Sequence, residues 1–85
     1  MKKVAYFYFI KNDPEKIGQI VPSHVQYWHS LALEAYKGGG FSDRSGGMII
    51  FNSKDLNEAS QIIKEDPFVK NDLIAQGWTK EWMVE

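Results

Sequence analysis

The stretch KVAYFYFI, residues 3–10, decides the fold because it contains the longest uninterrupted apolar run in the chain. Its aromatic and branched side chains favour a β-strand. Apolar residues occupy successive positions, so both faces of this strand are apolar, as in a central strand that is covered on both sides. We therefore expect a central strand over residues 3–10.

The first helix is predicted from its capping signals. Asn12-Asp13-Pro14 interrupts the apolar pattern, so residues 12–22 are predicted to form a loop with one helical turn begun by Pro14. Ser23 and Gln26 have the spacing of a capping box, which predicts that the helix begins at Ser23. Glycines 38–40 are expected to end it.

The remaining elements follow from strand composition and helix-start signals. Asp66 followed by Pro67 is typical of a helix start, and Gly77 is expected to end that short helix. The predicted elements are a strand at 41–44, a turn at 45–47, a strand at 48–51, a helix from Asp55 to 65, a short helix at 68–75 and a strand at 78–84.

This order predicts an α+β fold with a single domain over residues 1–85. The βαββαβ succession is ferredoxin-like: an antiparallel four-stranded sheet with helices on one face. The other face would then expose apolar side chains of the first strand, which is unfavourable for a large patch. We therefore expect a homodimer in which two sheets pack face to face.

Composition excludes several classes of function. The chain has no cysteine, so thiolate catalysis and thiolate-ligated metal sites are excluded, and a cytoplasmic location is expected. Ten Lys and Arg residues against eleven Asp and Glu residues give no basic excess for nucleic acid. The apolar run at 4–10 is too short to cross a bilayer, so no membrane partner is expected.

His24 and Asp66 are the candidate catalytic residues. An imidazole can take or give a proton near neutral pH, and a carboxylate can hold it in one tautomer. The alternative for His24 is a histidine packed in the core, and the alternative for Asp66 is a simple helix cap. His29 lies toward the edge of the helix, where pairing with Glu34 or solvent is expected. The two histidines lack metal-binding spacing, so no metal and no cofactor are predicted.

Four further residues are candidates for binding a small-molecule substrate. Asp43 and Arg44 follow the glycine-rich turn, where they can line a cleft or lie exposed on a hairpin. Tyr8 and Trp28 can form walls of a pocket for a planar ligand, or belong to the core.

Several segments together resemble the YciI-like (YCII-related) family of small dimeric α+β-barrel proteins. These segments are the first strand, PSHV at 22–25, GGF at 39–41, SGGMII at 45–50, the helix at 56–63, DPFV at 66–69 and Trp82. The resemblance implies a dimer of ferredoxin-like subunits. It also implies a cofactor-free active site that contains His24 and Asp66.

The chain departs from the family pattern at two places. Val21 stands where many members have an arginine, which removes a cation that could hold an anionic substrate. Gly39-Gly40 stands where Gly-Pro is common. The general fold is expected to tolerate both changes, whereas the substrate class can differ.

Three functions remain open from the sequence. The first is a small enzyme that uses a His/Asp pair for elimination or hydrolysis of a small, aromatic metabolite. Alternatively, the chain is a non-catalytic binding or accessory module. The third is a cofactor-independent monooxygenase of the dimeric α+β-barrel type, a class that the resemblance brings in.

Overall fold

The computed structural model describes residues 1–85 and has the predicted βαββαβ order, with the predicted short helix before the last strand. Its elements are β1 (Lys2–Ile10), α1 (Pro14–Ser30), β2 (Lys37–Gly40), β3 (Gly46–Ser53), α2 (Leu56–Lys64), α3 (Pro67–Lys70) and β4 (Ile74–Glu81). The four strands form one antiparallel sheet in the order β2-β3-β1-β4. The α+β, ferredoxin-like fold class is thus confirmed.

Strand β1 is the central strand that its composition predicts. It pairs with β3 on one side and β4 on the other. Val4, Tyr6 and Tyr8 point to the helices and are buried in the core. That core also contains Trp28 of α1, Ile49 and Phe51 of β3, Ala59 and Ile63 of α2, Phe68 of α3, and Leu73.

The start of α1 differs from the prediction. The helix begins at Pro14, with Asp13 as the N-cap whose side chain accepts from the Lys16 N–H. Pro22 lies inside the helix without ending it. Its ring removes one hydrogen bond to the Gly18 carbonyl, but both residues are exposed, so water can satisfy that carbonyl. Ser23 is therefore a residue of the helix interior.

The end of α1 also differs from the prediction. The helix stops at Ser30, and the left-handed residues Ala32 (φ 48°) and Ala35 (φ 56°) turn the chain back. The glycines at 38–40 form part of β2, so they do not end a helix.

The hairpin after β2 lies several residues earlier than predicted. The turn spans 41–45, where a strand was expected, and β3 already begins at Gly46. A Cβ at Gly46 would lie 1.8 Å from the Tyr8 carbonyl oxygen, so only glycine allows this approach to β1.

The second half of the chain follows the prediction more closely. Asp55 caps α2 through the Glu58 N–H, as expected. Helix α3 ends at Lys70, five residues before the predicted end, and β4 begins at Ile74 instead of Trp78. Gly77 lies within β4 opposite Tyr8, so its role as a helix end was wrong.

One face of the sheet has no helix on it. We call it the outer face, and its apolar side chains are Phe7, Phe9, Met48, Ile50 and Trp78. The Phe7 and Trp78 rings stack with centroids 5.2 Å apart. This is the apolar second face that the composition of β1 indicated.

No helix of the protein is long and apolar enough to cross a membrane.

Candidate functional site

Asp66 is a buried carboxylate that accepts hydrogen bonds from three groups. Its side chain has no solvent exposure. Oδ1 accepts from the Phe68 N–H at 2.8 Å and lies 2.8 Å from Nδ1 of His24. Oδ2 accepts from the Trp28 indole N–H at 2.9 Å. Asp66 therefore caps α3, as predicted, and also joins α3 to α1.

Helix α1 supplies both side-chain partners of Asp66. His24 and Trp28 are four residues apart, so they lie on the same face of the helix in successive turns. His24 lies well inside the helix, whereas the sequence placed it at the helix start. The contact between His24 and Asp66 links residues that are 42 positions apart in the chain.

The surroundings of Asp66 fix the orientation of the His24 ring. The carboxylate already accepts from two N–H groups that can only donate, so Nδ1 of His24 is the donor in the third contact. In the neutral ring Nε2 is then an acceptor. It lies 3.4 Å from the Tyr8 hydroxyl, a long contact that a substrate atom can replace.

Phe68 holds the His24 ring from one side. The two rings stack with centroids 4.1 Å apart and planes 13° apart. Phe68 follows Asp66 by two residues, so the Asp-Pro-Phe segment orients the imidazole and also packs against it. The ring is left with little rotational freedom.

The Tyr8 hydroxyl is a neutral hydrogen-bond donor at this site. Burial, with the nearby Asp66 carboxylate as a second cause, raises the pKa of Tyr8 well above its ordinary range. The hydroxyl therefore keeps its proton at neutral pH. It can donate either to Nε2 of His24 or to an oxygen of a bound molecule.

A cavity of about 410 Å³ opens in front of His24. This volume lies in the range of small-molecule sites. Apolar side chains of α1, among them Ile17, Val21 and Val25, form one wall, and the β2 glycines form another part of the lining. The cavity has room for a compound with one ring.

The predicted substrate-binding residues divide into two groups. Tyr8 and Arg44 line the cavity. Trp28 is 1% exposed and lies behind the cavity, so it can hold Asp66 but cannot touch a ligand. Asp43 is not part of the lining either. Its carboxylate accepts from the hydroxyl and the N–H of Ser45, bonds that lower the pKa of Asp43.

The sequence reading missed two cavity residues, His29 and Tyr36. Of the two environments expected for His29, solvent is the one observed: His29 is exposed, and Glu34 accepts from the Asn52 amide instead. The His29 ring lies edge-on to Tyr36, with centroids 5.8 Å apart. In a helix that begins at Pro14, the side chains at positions 17, 21, 25 and 29 lie in one row. That row would have indicated that His29 lines the same cavity wall as the three apolar residues.

No three His, Asp or Glu side chains lie close enough together to hold a metal ion.

These features define the class of protein: a ferredoxin-like α+β subunit with a His–Asp pair beside a cavity. The sequence profile of the YCII-related domain matches residues 1–83, and the chain belongs to that family. No curated protein matches the sequence at a significant level.

Two solved structures share the fold. One is a 5-chloro-2-hydroxyhydroquinone dehydrochlorinase from Burkholderia phenoliruptrix in complex with 2,5-dihydroxybenzoquinone, with a TM-score of 0.83, 19% identity, and coverage of 98% of this chain and 95% of that chain. The other is an antibiotic biosynthesis monooxygenase, with a TM-score of 0.70, 19% identity, and coverage of 100% and 99%. At these identities, the likeness is one of fold.

Proposed function

We propose that this protein is a small cofactor-free enzyme in which His24 acts as a general base on a small ring compound. One observation carries the proposal: Asp66 holds Nδ1 of His24 at 2.8 Å, while Nε2 is directed toward Tyr8, beside the cavity. The buried carboxylate stabilises the imidazolium that forms when Nε2 takes a proton. General bases placed in this way contribute a rate factor of about 10² to 10⁴.

The reaction that suits this equipment is an elimination. In the diketo tautomer of a hydroquinone, the carbon that bears the leaving group and the carbon next to it are both saturated, and Nε2 removes a proton from that neighbouring carbon. The electron pair of the broken C–H bond forms the new C=C bond, and the leaving group departs with the electron pair of its own bond. The substrate thus loses one molecule of HX, where X is the leaving group. Tyr8 can donate a hydrogen bond to a ring oxygen during the step.

The dehydrochlorinase of similar fold suggests the first substrates to test. We expect the protein to release halide from chlorinated hydroxyquinols, including 5-chloro-2-hydroxyhydroquinone, in a reaction that requires His24. A halide electrode measures the release, and an assay without protein corrects for spontaneous loss.

Other outcomes of this assay would contradict the proposal. Binding of 2,5-dihydroxybenzoquinone in the cavity without halide release from any halogenated compound would make the protein a binding module. His24-dependent oxygen uptake with the same quinols would assign monooxygenase chemistry instead. If the protein neither binds these compounds nor turns them over, the proposed small-molecule role is wrong.

We also propose that the working unit is a homodimer that packs through the outer face. That face groups five apolar side chains on three adjacent strands, and no element of the chain covers them. A sheet with one such face is stabilised when a second copy covers it.

Trp78→Lys should shift the protein from dimer to monomer, because it places a charge on the outer face, where Trp78 stacks on Phe7 of the central strand. Sedimentation velocity measures the change. Leu56→Lys is a matched control on α2, since Leu56 is 38% exposed and Trp78 is 36% exposed. A wild-type protein that sediments as a monomer would contradict the dimer.

A further inference from the structure

Arg44 is the one side chain of the cavity lining that has a permanent charge. The ionisable side chains of the lining are Tyr8, His24, His29, Tyr36 and Arg44, and no Asp or Glu side chain is among the lining. The chain as a whole has eleven acidic and ten basic residues, so this asymmetry is local. The Asp66 carboxylate is fully buried and already engaged by three donors.

Arg44 is the fixed positive charge of this cavity. It takes part in none of the protein's ion pairs. The carboxylate of its neighbour Asp43 accepts hydrogen bonds from Ser45 and forms no ion pair with Arg44. A guanidinium without a partner at the edge of an apolar cavity is suited to a carboxylate or another flat anion.

The backbone at Arg44 is unfavourable for arginine. Its φ is 64°, in the left-handed region that glycine and asparagine adopt most easily. A residue held in such a conformation is a reason to look for a function of its side chain.

The polar groups of the lining differ in exposure. His24 and Tyr8 are the more buried ones, with Tyr8 5% exposed, whereas Arg44 and His29 are exposed. Arg44 also lines a second pocket with Pro14 and Ile17, so it lies near the start of α1. Ile17 and His24 are separated along α1 by a rise of about 10 Å. A ring compound that lies along this part of α1 would place its reacting atom at His24 and a substituent at Arg44.

We propose that the cavity selects small planar ring compounds that carry an anionic substituent, and that Arg44 is the residue that binds this anion. The inference rests on the proposed function for the reacting end of the ligand. It assigns the substrate class: a ring acid, such as a carboxylate or an ionised phenol, in preference to a neutral ring.

Binding of two matched probes tests this assignment. We expect 4-hydroxybenzoate to bind roughly tenfold more tightly than 4-hydroxybenzamide, which has the same shape without the charge, and added salt to reduce the difference. NMR titration of the labelled protein measures both affinities.

The variant Arg44→Asn tests the contribution of the Arg44 side chain to anion binding. Asparagine suits the left-handed backbone, so the melting temperature should stay the same or rise while the preference for the benzoate disappears. Lys54→Ala is the control, because Lys54 is an exposed cation outside the cavity and should leave both affinities unchanged.

The two proposals fail separately in these experiments. Equal affinity of the wild type for the two probes, no binding of the benzoate, or an unchanged preference in Arg44→Asn would overturn the anion site. His24-dependent halide release would still support the enzyme in each case. If the preference for the charged probe depends on Arg44 but no turnover is found, the anion site is retained and the proposed enzymatic function is wrong.

Discussion

Replacing Asp66 by alanine should lower the free energy of unfolding by about 3 to 5 kcal/mol. The change leaves the Trp28 indole N–H and the Phe68 N–H without an acceptor in a fully buried place, where each unpaired donor costs about 1–3 kcal/mol. The bond from the Phe68 N–H is also the α3 cap, so its loss is counted once. Chemical denaturation followed by tryptophan fluorescence measures this loss.

Asp66→Asn separates stability from chemistry. The amide keeps the volume but replaces one acceptor by an NH₂ donor, so it cannot accept from Trp28, Phe68 and His24 together. If the NH₂ faces His24, Nδ1 must accept and the ring proton moves to Nε2, which removes the base. We expect a folded protein that is less stable by about 1–3 kcal/mol and slower by a factor of about 10² to 10⁴.

Asp72→Asn is the matched control for this variant. Asp72 pairs with Lys11 at 2.9 Å, but its side chain is 90% exposed, so the pair contributes little. Its left-handed backbone, with φ 56°, also suits asparagine. A loss of stability in Asp66→Asn no larger than in Asp72→Asn would contradict the role of the buried carboxylate.

Replacing His24 by asparagine should abolish turnover and keep the protein folded. The asparagine amide can still donate to Oδ1 of Asp66, but it has no basic nitrogen to present to the cavity. We expect activity to fall by a factor of about 10² to 10⁴, with a small change in melting temperature. His24→Leu removes the donor as well and should also lose stability.

Ser23→Ala is the control for His24. Ser23 is exposed within α1, so its replacement should change neither activity nor stability. If Ser23 were the helix cap that the sequence suggested, the same change would cost about 0.5–2 kcal/mol. Full activity of His24→Asn would contradict the role of His24 as the base.

The sequence was most informative where local and tertiary signals agree. The aromatic side chains of β1 lie on both faces of the strand, so their burial requires an apolar layer on each side. The central place of β1 in the sheet was therefore predictable from residues 3–10 alone. The Asp66-Pro67 cap was equally clear, since proline at the first helical position and an acidic cap favour the same start. The approach of His24 to Asp66 was anticipated, although its catalytic role remains a prediction.

The sequence misled where one residue pattern fits two structures. Pro22-Ser23 has the form of a helix start, yet the signals at Asp13-Pro14 lie earlier and the exposed helix tolerates an internal proline. Glycines 38–40 have the form of a helix end, yet they form an edge strand beside β3. Local preference alone does not separate these cases, because pairing with a distant strand decides them.

The role of Trp28 could not be read from its position in the chain. Its place on the apolar face of α1 indicated either a core residue or a pocket wall. Trp28 is a core residue, and its indole N–H also donates to the second oxygen of Asp66, a contact with a residue 38 positions away. His29 was missed for the related reason that the helix was begun too late.

The most direct test of the account is the protonation pattern of the His24 ring, measured by ¹⁵N NMR of the imidazole nitrogens in the wild-type protein without ligand. The structure predicts that the neutral ring carries its proton on Nδ1, with Nε2 unprotonated and shifted when a ligand enters the cavity. A neutral ring with its proton on Nε2 would contradict the proposal that Asp66 prepares His24 to act as a base.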